Sequence, residues 1–289
     1  MTLPPLGVWV DDAPKLVREA PYWDALRLCG VSTAAMMVDT FARGFDTAYS
    51  MRDLERAALH SRDRDIGLVV TVVPEPTRDW IDDMRRQLDP VLSLGFCAID
   101  NDAEGLWVED AVRGFRDLDE AAVYLMASER ELAEKHDVWL EVDTHTGHRE
   151  ASSRAMLVPL ADRACYQLYT SRHDWRHREV AWGGPGGPGR FQRAKLARIR
   201  SVVPGVKDGR VKLAVGQALW DQVWPGYQVE ESLNLALDAV VEPALGCDPV
   251  DEVRGWSGKW LVGARSSSIE QMQVRSWVER TWGARRPSR

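Results

Sequence analysis

The chain has 289 residues, of which 45% are hydrophobic and 28% are charged, and it carries a formal net charge of −7. This length, slightly above the ~250 residues of one α/β barrel, is typical of a globular protein with one large core. The acidic balance argues against a nucleic-acid partner, because such partners are bound by concentrated Lys and Arg. No window approaches ~18 uninterrupted apolar residues, so the sequence predicts no membrane span.

Short, almost uninterrupted apolar runs predict eight β-strands. Such runs are typical of parallel strands that are covered on both faces. In chain order, the predicted strands are Gly7–Val10, Thr33–Val38, Gly67–Val73, Gly95–Ile99, Val138–Val142, Cys165–Tyr169, Val211–Val215 and Trp260–Ala264.

Segments with apolar residues three and four positions apart separate these runs and predict helices. Candidate caps and stops support them: Ser50 with Asp53, Thr77, Ser268, Gly30, Gly95 and Gly246. Eight strand–helix units predict an α/β fold, a single (β/α)8 TIM barrel over residues 1–289 with a basic tail at about 280–289. An open doubly wound sheet is the alternative, but no GxGxxG turn follows the first strand, so we expect no dinucleotide cofactor.

The cysteines and the N-terminus bear on the compartment. Cys29, Cys97, Cys165 and Cys247 are widely spaced and form no CxxC pair, so neither a zinc site nor a disulfide framework is expected. Cys97 and Cys165 lie in apolar runs and are predicted to be inert core residues. The N-terminal segment has no positive region and does not resemble a secretory signal, so we expect cytoplasmic synthesis. Action on a cell wall would require release by other means.

Carboxylates follow the first five predicted strands, where a barrel assembles its active site. Gathering them in one concave mouth costs repulsion and desolvation, which favours a functional reason for their presence. They are Asp11, Asp12, Asp39, Glu75, the set from Asp100 to Glu104, and Asp143.

The fourth strand carries the sharpest pattern, because Asp100, Asp102 and Glu104 occupy alternate positions. Alternate residues of an extended chain share a face, so all three can point toward the barrel axis. Carboxylates this close cannot ionise independently, and at least one pKa should rise, which gives a proton donor near neutral pH. The structural alternative is an acidic loop that leaves the strand into water.

The segment GFCAIDNDAE resembles the D-x-x-D-x-D-x-E signature of the family 18 chitinase-like glycoside hydrolases, with Cys97 in place of the first Asp. Its AspAlaGlu also resembles the D-x-E of the family 25 lysozyme-like hydrolases, whose further acid on the first strand would correspond to Asp11 or Asp12. Both families are barrels that cleave polymers containing N-acetylated amino sugars. The resemblance therefore implies a polysaccharide substrate, chitin-like or peptidoglycan-like.

The resemblance also implies roles for individual residues. Glu104 would be the general acid that protonates the leaving glycosidic oxygen, Asp102 would stabilise the cationic transition state or orient the acetamido group, and Asp100 would tune the pKa of Asp102. Tyr169 would lie beside the acetamido group, although Thr170 replaces the Asp that usually follows this Tyr.

The seventh predicted strand and the tryptophans complete the candidate substrate site. Gln217 stands where a two-Glu retaining glycosidase would need a nucleophile, which disfavours that mechanism. Flat indole faces stack on sugar rings, and six of the thirteen Trp residues fall in predicted loops or strand ends: Trp107, Trp175, Trp182, Trp220, Trp224 and Trp256. The group Trp220, Asp221 and Trp224 is the best candidate subsite. The predicted substrate-binding residues are Asp11, Asp12, Asp143, Tyr169, Gln217, Trp220 and Trp224.

Two other classes stay open. Asp143, His145 and His148 could hold a divalent ion in a metal-dependent barrel hydrolase, but no His-x-His follows the first strand, so no catalytic metal is expected. A non-catalytic barrel that binds carbohydrate or has a structural role is the third class. The Gly- and Pro-rich loop from Trp182 to Arg190 is either a tolerated insertion or a lid on the catalytic face.

Overall fold

The chain folds into a closed barrel of eight parallel strands, in which strands adjacent in sequence are adjacent in the sheet and β8 pairs with β1. The predicted (β/α)8 fold is thereby confirmed. The computed structural model describes residues 4–10, 17–38, 48–102, 109–145, 157–167, 196–218, 250–256, 261 and 269–283. The strands are β1 (Leu6–Val10), β2 (Val31–Met37), β3 (Gly67–Val72), β4 (Ala98–Asp102), β5 (Trp139–His145), β6 (Arg163–Gln167), β7 (Lys212–Ala218) and β8 (Glu252–Trp256).

Helices alternate with these strands. Those with described bounds are α1 (Ala20–Leu28), α2 (Met51–Arg62), α3 (Arg78–Leu92), α4 (Leu118–His136) and α5 (Ile269–Thr281). Residues 196–202 are also helical, between β6 and β7. None of the described helices is both long and apolar enough to cross a membrane.

Local sequence explains several helix ends. Ser50 and Asp53 form the predicted capping box at the start of α2, because each side chain accepts a hydrogen bond from the other residue's backbone N–H. Gly30 follows α1 and Gly95 follows α3, both with positive φ, 75° and 98°. Glycine adopts this left-handed conformation without the steric cost of a side chain, so both residues stop their helices as predicted.

The strands separate two apolar regions. Outward side chains such as Val8, Met36 and Leu68 pack with the helices in the main core. A second, smaller cluster lies inside the barrel and consists of Trp9, Ala35, Val69, Ala98, Cys165 and Ala214. Because side chains alternate along a strand, residues two positions from these members also face the interior. This parity places several charged residues inside the barrel.

The eighth strand is not the predicted Trp260–Ala264. The chain instead uses Glu252–Trp256, which pairs with both β7 and β1, and Leu261 is helical. The prediction failed because Glu252 and Arg254 point inward and form an ion pair with each other, so this strand lacks an apolar run. Two other strands also begin away from their predicted positions: β4 begins at Ala98, later than the predicted Gly95, and β6 begins at Arg163, earlier than the predicted Cys165.

Of the two cysteines predicted to lie in the core, one does and the other does not. Cys165 is fully buried inside the barrel, as predicted for a core residue. Cys97 is exposed, so its predicted core position is wrong. It precedes the first residue of β4 and therefore lies at the N-terminal end of the barrel, away from the strand ends that assemble an active site.

Candidate active site

Asp100 and Asp102 of β4 both lie inside the barrel and are buried. They share the face of Ala98, a member of the interior cluster. Asn101 points outward instead, where its amide N–H donates to Glu129 of α4 at 3.0 Å. The alternation predicted for Asp100 and Asp102 is therefore present, and neither side chain belongs to a loop that leaves the strand into water.

Asp100 is held from two sides. Its Oδ2 accepts from the hydroxyl of Thr71 at 3.0 Å and from the guanidinium of Arg254 at 3.3 Å. Burial raises the pKa of Asp100 to about 6; Arg254 and Thr71 oppose this rise, and the carboxylate of Glu141 adds to it. At neutral pH a carboxyl with this pKa is mostly ionised, and its charge changes readily with the charges of its neighbours.

Asp143 is the counterpart of Asp102 on the adjacent strand. The two residues are register partners between β4 and β5, and Asp143 is fully buried. Its Oδ2 accepts from the indole N–H of Trp9 at 2.9 Å, and the thiol of Cys165 also contacts the carboxyl. Burial raises the pKa of Asp143 well above its usual range, and the charges of Asp100 and Asp102 raise it further.

Two arginines compensate the remaining interior carboxylates. Arg254 donates to Glu252 at 2.8 Å and to Glu141 at 2.7 Å, in addition to its contact with Asp100. Arg163 bridges the same two glutamates from the other side, donating to Glu252 at 2.8 Å and also to Glu141. Burial alone would raise the pKa of Glu252, but the two guanidinium groups outweigh it and hold this pKa below its usual value. The network consists of paired charges, as a buried site requires.

Trp9 fills the space between this network and Asp143. The guanidinium carbon of Arg254 lies 5.4 Å from the centre of the indole ring. A Cβ on Gly216 would come within 2.7 Å of the indole Cη2 atom. Only a glycine leaves room for the indole at this position, so Gly216 and Trp9 together define how the barrel interior is packed.

The structure describes only some of the other predicted site residues. Gln217 and His145 lie in the C-terminal halves of β7 and β5, with Gln217 next to last and His145 last in its strand. The remaining candidates lie outside the described residues: Glu104, Asp11, Asp12, Asp39, Tyr169, Trp220, Asp221, Trp224, His148 and the loop from Trp182 to Arg190. Among the described residues, no group of three or more His, Cys, Asp or Glu side chains is arranged to hold a metal ion.

Sequence reasoning missed four interior charges: Glu141, Arg163, Glu252 and Arg254. The spacing of charged residues could have indicated them, because Glu141 stands two residues before Asp143 and Glu252 two residues before Arg254. Charged residues at alternate positions in a strand that is covered on both faces must point into the interior and need partners there. Gln167, buried at the end of β6, was missed as well.

Comparisons with known proteins support the fold. No family model matches the chain, and no curated protein matches its sequence. Among solved structures, the fold is similar to a GH18 chitinase from Pseudoalteromonas aurantia, with a TM-score of 0.61 and 9% identity over 96% of this chain and 98% of the chitinase. It is also similar to a GH113 β-1,4-mannanase, with a TM-score of 0.58 and 10% identity over 96% and 98%. A β-glucosidase from Exiguobacterium marinum has a TM-score of 0.55 and 11% identity over 81% and 76%.

Proposed function

We propose that this protein is a glycoside hydrolase that cleaves a polysaccharide containing N-acetylated amino sugars, chitin-like or peptidoglycan-like. The observation that carries the proposal is the shared inward direction of Asp100 and Asp102 on β4, beside Asp143 on β5. Burying three carboxyls at one place costs stability, and clusters of this kind are typical of functional sites. Structures with this fold include a chitinase, a mannanase and a glucosidase, all of which act on carbohydrates.

In the proposed mechanism, Glu104 protonates the glycosidic oxygen of the leaving sugar. Asp102 stabilises the positive charge that develops on the reacting sugar or orients its acetamido group. Asp100, two residues earlier on the same face of β4, tunes the pKa of Asp102. The raised pKa of Asp100, on which Thr71, Arg254 and Glu141 all act, suits that tuning role. A carboxyl whose pKa lies near the working pH responds strongly to a change of charge nearby.

The proposed substrate contacts are residues that the sequence predicts at or after strand ends: Asp11, Asp12, Tyr169, Gln217, Trp220 and Trp224. The tryptophans would stack on sugar rings, and the polar side chains would bind hydroxyl and acetamido groups. In the proposed reaction the protein needs no cofactor, because proton transfer and charge stabilisation by carboxyl groups are sufficient for glycoside hydrolysis.

A product assay tests this proposal. Purified protein is incubated with chitin oligosaccharides, with peptidoglycan and with mannan oligosaccharides, and new reducing ends are identified by mass spectrometry. We expect cleavage of the N-acetylated substrates and little of mannan. An Asp208→Asn variant, altered at an exposed carboxylate, is purified in parallel and should have the same activity. Absence of cleavage with every substrate, or activity that does not follow the protein through purification, would overturn the proposal.

A further inference from the structure

The interior carboxylates of the barrel are unequally compensated. Within the described residues, five buried carboxyls lie inside the barrel (Asp100, Asp102, Glu141, Asp143 and Glu252) together with two guanidinium groups, Arg163 and Arg254. The ion pairs of these arginines inside the barrel go to Glu141, Glu252 and Asp100. In this part of the chain, neither guanidinium is in ion-pair contact with Asp143. A negative charge on Asp143 would therefore be buried without a cation beside it, which is very costly.

The hydrogen bonds of Asp143 show which of its oxygens can carry a proton. Oδ2 accepts from the indole N–H of Trp9, so this oxygen acts as the carbonyl-type acceptor. Oδ1 is buried and has no hydrogen-bond partner among the described residues. A proton on Oδ1 removes the charge and leaves the bond to Trp9 intact. Its register partners are Asp102 on β4 and Cys165 on β6, and of these two only Asp102 carries a carboxylate that could accept a proton from Oδ1.

We propose that Asp143 is a positioning residue, which keeps a proton on Oδ1 at neutral pH and donates it in a hydrogen bond to Asp102. This inference rests on the proposed function, because it assigns Asp143 its role through Asp102. A carboxylate that accepts such a bond keeps its own charge. Asp102 is thereby held ionised and fixed in orientation, as a group that stabilises a cationic transition state must be.

The groups that face Asp143 agree with this assignment. Asp100 and Asp102 on β4 disfavour a further negative charge, whereas Arg254 on β8 and a hydrogen bond from the Cys165 thiol on β6 favour one. Because Arg254 already contacts three other carboxylates, its positive charge is shared. The balance favours the neutral acid, and burial acts in the same direction as the two aspartates.

Two substitutions separate donation from simple packing. Asp143→Asn keeps an acceptor for Trp9 and places an N–H donor where the proposed O–H donor lies, whereas Asp143→Leu keeps the approximate volume and removes both. With a cleaved substrate, we expect Asp143→Leu to reduce kcat about 10- to 100-fold, the scale for a hydrogen bond to a charged group. Asp143→Asn should recover most of that loss and weaken the fall in activity at alkaline pH, because the amide cannot lose its proton. If Asp143→Asn is as impaired as Asp143→Leu and keeps the parental pH profile, donation by Asp143 is wrong.

A second measurement needs no substrate and therefore distinguishes failure of this inference from failure of the proposed function. A group whose pKa is higher in the folded than in the unfolded protein makes stability decrease as pH rises above the unfolded value. Asp143→Asn should make the fall in the free energy of unfolding between pH 4 and pH 8 shallower, with a change in slope that corresponds to up to one proton per molecule. It should also remove one carboxylic-acid C=O band from the infrared spectrum. Asp208→Asn should do neither. If Asp143→Asn changes neither the slope nor the band, Asp143 is ionised and the inference fails, whatever the protein hydrolyses.

Discussion

The indole N–H of Trp9 donates to Oδ2 of Asp143 at 2.9 Å, from one wall of the barrel to the opposite one. β1 and β5 are four strands apart in a ring of eight, so this bond crosses the interior. It joins the aromatic packing of the barrel to a carboxyl beside the candidate catalytic strand. The position of Asp143 therefore depends on a residue 134 positions away in the sequence.

Trp9→Phe tests the energetic importance of that bond. The substitution keeps an aromatic ring but removes the N–H, so one oxygen of a buried carboxyl loses its donor. We expect the free energy of unfolding to fall by about 1–3 kcal/mol, as measured by urea denaturation at pH 7. Trp139→Phe is the matched control, since Trp139 is 41% exposed at the start of β5, and it should cost less than about 1 kcal/mol. Equal losses in both variants would contradict a specific role for the Trp9 bond.

Gly216→Ala should destabilise the barrel by overpacking. The added Cβ would lie 2.7 Å from the Trp9 indole and 3.3 Å from the Cα of Gln167, a clash expected to cost about 1–3 kcal/mol. The smaller ring of Trp9→Phe should relieve part of it, so the double variant should lose less stability than the sum of the two single variants. Additive losses would show that Gly216 and Trp9 do not constrain each other.

Arg254→Met removes the cation shared by Glu252, Glu141 and Asp100. Arg254 is fully buried, and a carboxylate that loses its buried partner is left uncompensated. We expect a loss of about 3–5 kcal/mol in the free energy of unfolding, measured by chemical denaturation at pH 7. The control is Arg210→Met, which breaks the exposed ion pair with Asp208 and should leave stability nearly unchanged. A small loss in Arg254→Met would mean that water enters the interior or that the carboxyls take up protons.

Glu129 of α4 should make stability depend on pH. Burial raises its pKa to about 8 from an ordinary value of 4.5, with the amide of Asn101 opposing and Asp100 adding to the shift. Because the folded protein binds this proton more tightly than the unfolded chain, its contribution is complete below about pH 4.5 and is lost as pH rises toward 8. Glu129→Gln carries no titrating proton, so at pH 8 it should be more stable than the parent by about 1 kcal/mol or more.

Thermal unfolding from pH 4 to pH 9 checks this sign. The difference between Glu129→Gln and the parent should grow with pH and level off above pH 8. Glu134→Gln, an exposed change on the same helix, is the matched control, and at pH 8 its stability should differ from that of the parent by less than that of Glu129→Gln. A Glu129→Gln protein that becomes relatively less stable as pH rises would show that the folded protein holds Glu129 as a carboxylate.

Much of the fold could be read from the sequence, because seven of its strands are apolar enough to stand out between amphipathic helices. β8 could not, since Glu252 and Arg254 make its interior face charged. The residue pattern of one strand alone does not show that its inward charged residues find ion-pair partners inside the barrel. Those partners, such as Glu141 and Arg163, are more than 85 positions away in the sequence.

The candidate site was predictable to the extent that strand alternation determines it. Asp100 and Asp102 face inward because residues of the same parity in β4, such as Ala98, do so. The partnership of Asp102 with Asp143 depends on the register between two strands, and the bond from Trp9 depends on closure of the barrel. Neither register nor closure is encoded by a local motif, so the sequence indicated the acidic residues but not which residues they contact.

The most direct test of the proposed hydrolase compares hydrolysis of N-acetylglucosamine-containing polymers by the parent protein and by Glu104→Gln. The substitution keeps the shape of the side chain and removes its transferable proton. The proposed mechanism predicts that the parent releases new reducing ends, that Glu104→Gln is slower by roughly 10²-fold or more, and that substrate binding persists. Glu134→Gln should match the parent, and Asp102→Asn should also impair turnover. A Glu104→Gln protein that hydrolyses the substrate at the parental rate would contradict the assignment of β4 as the catalytic strand.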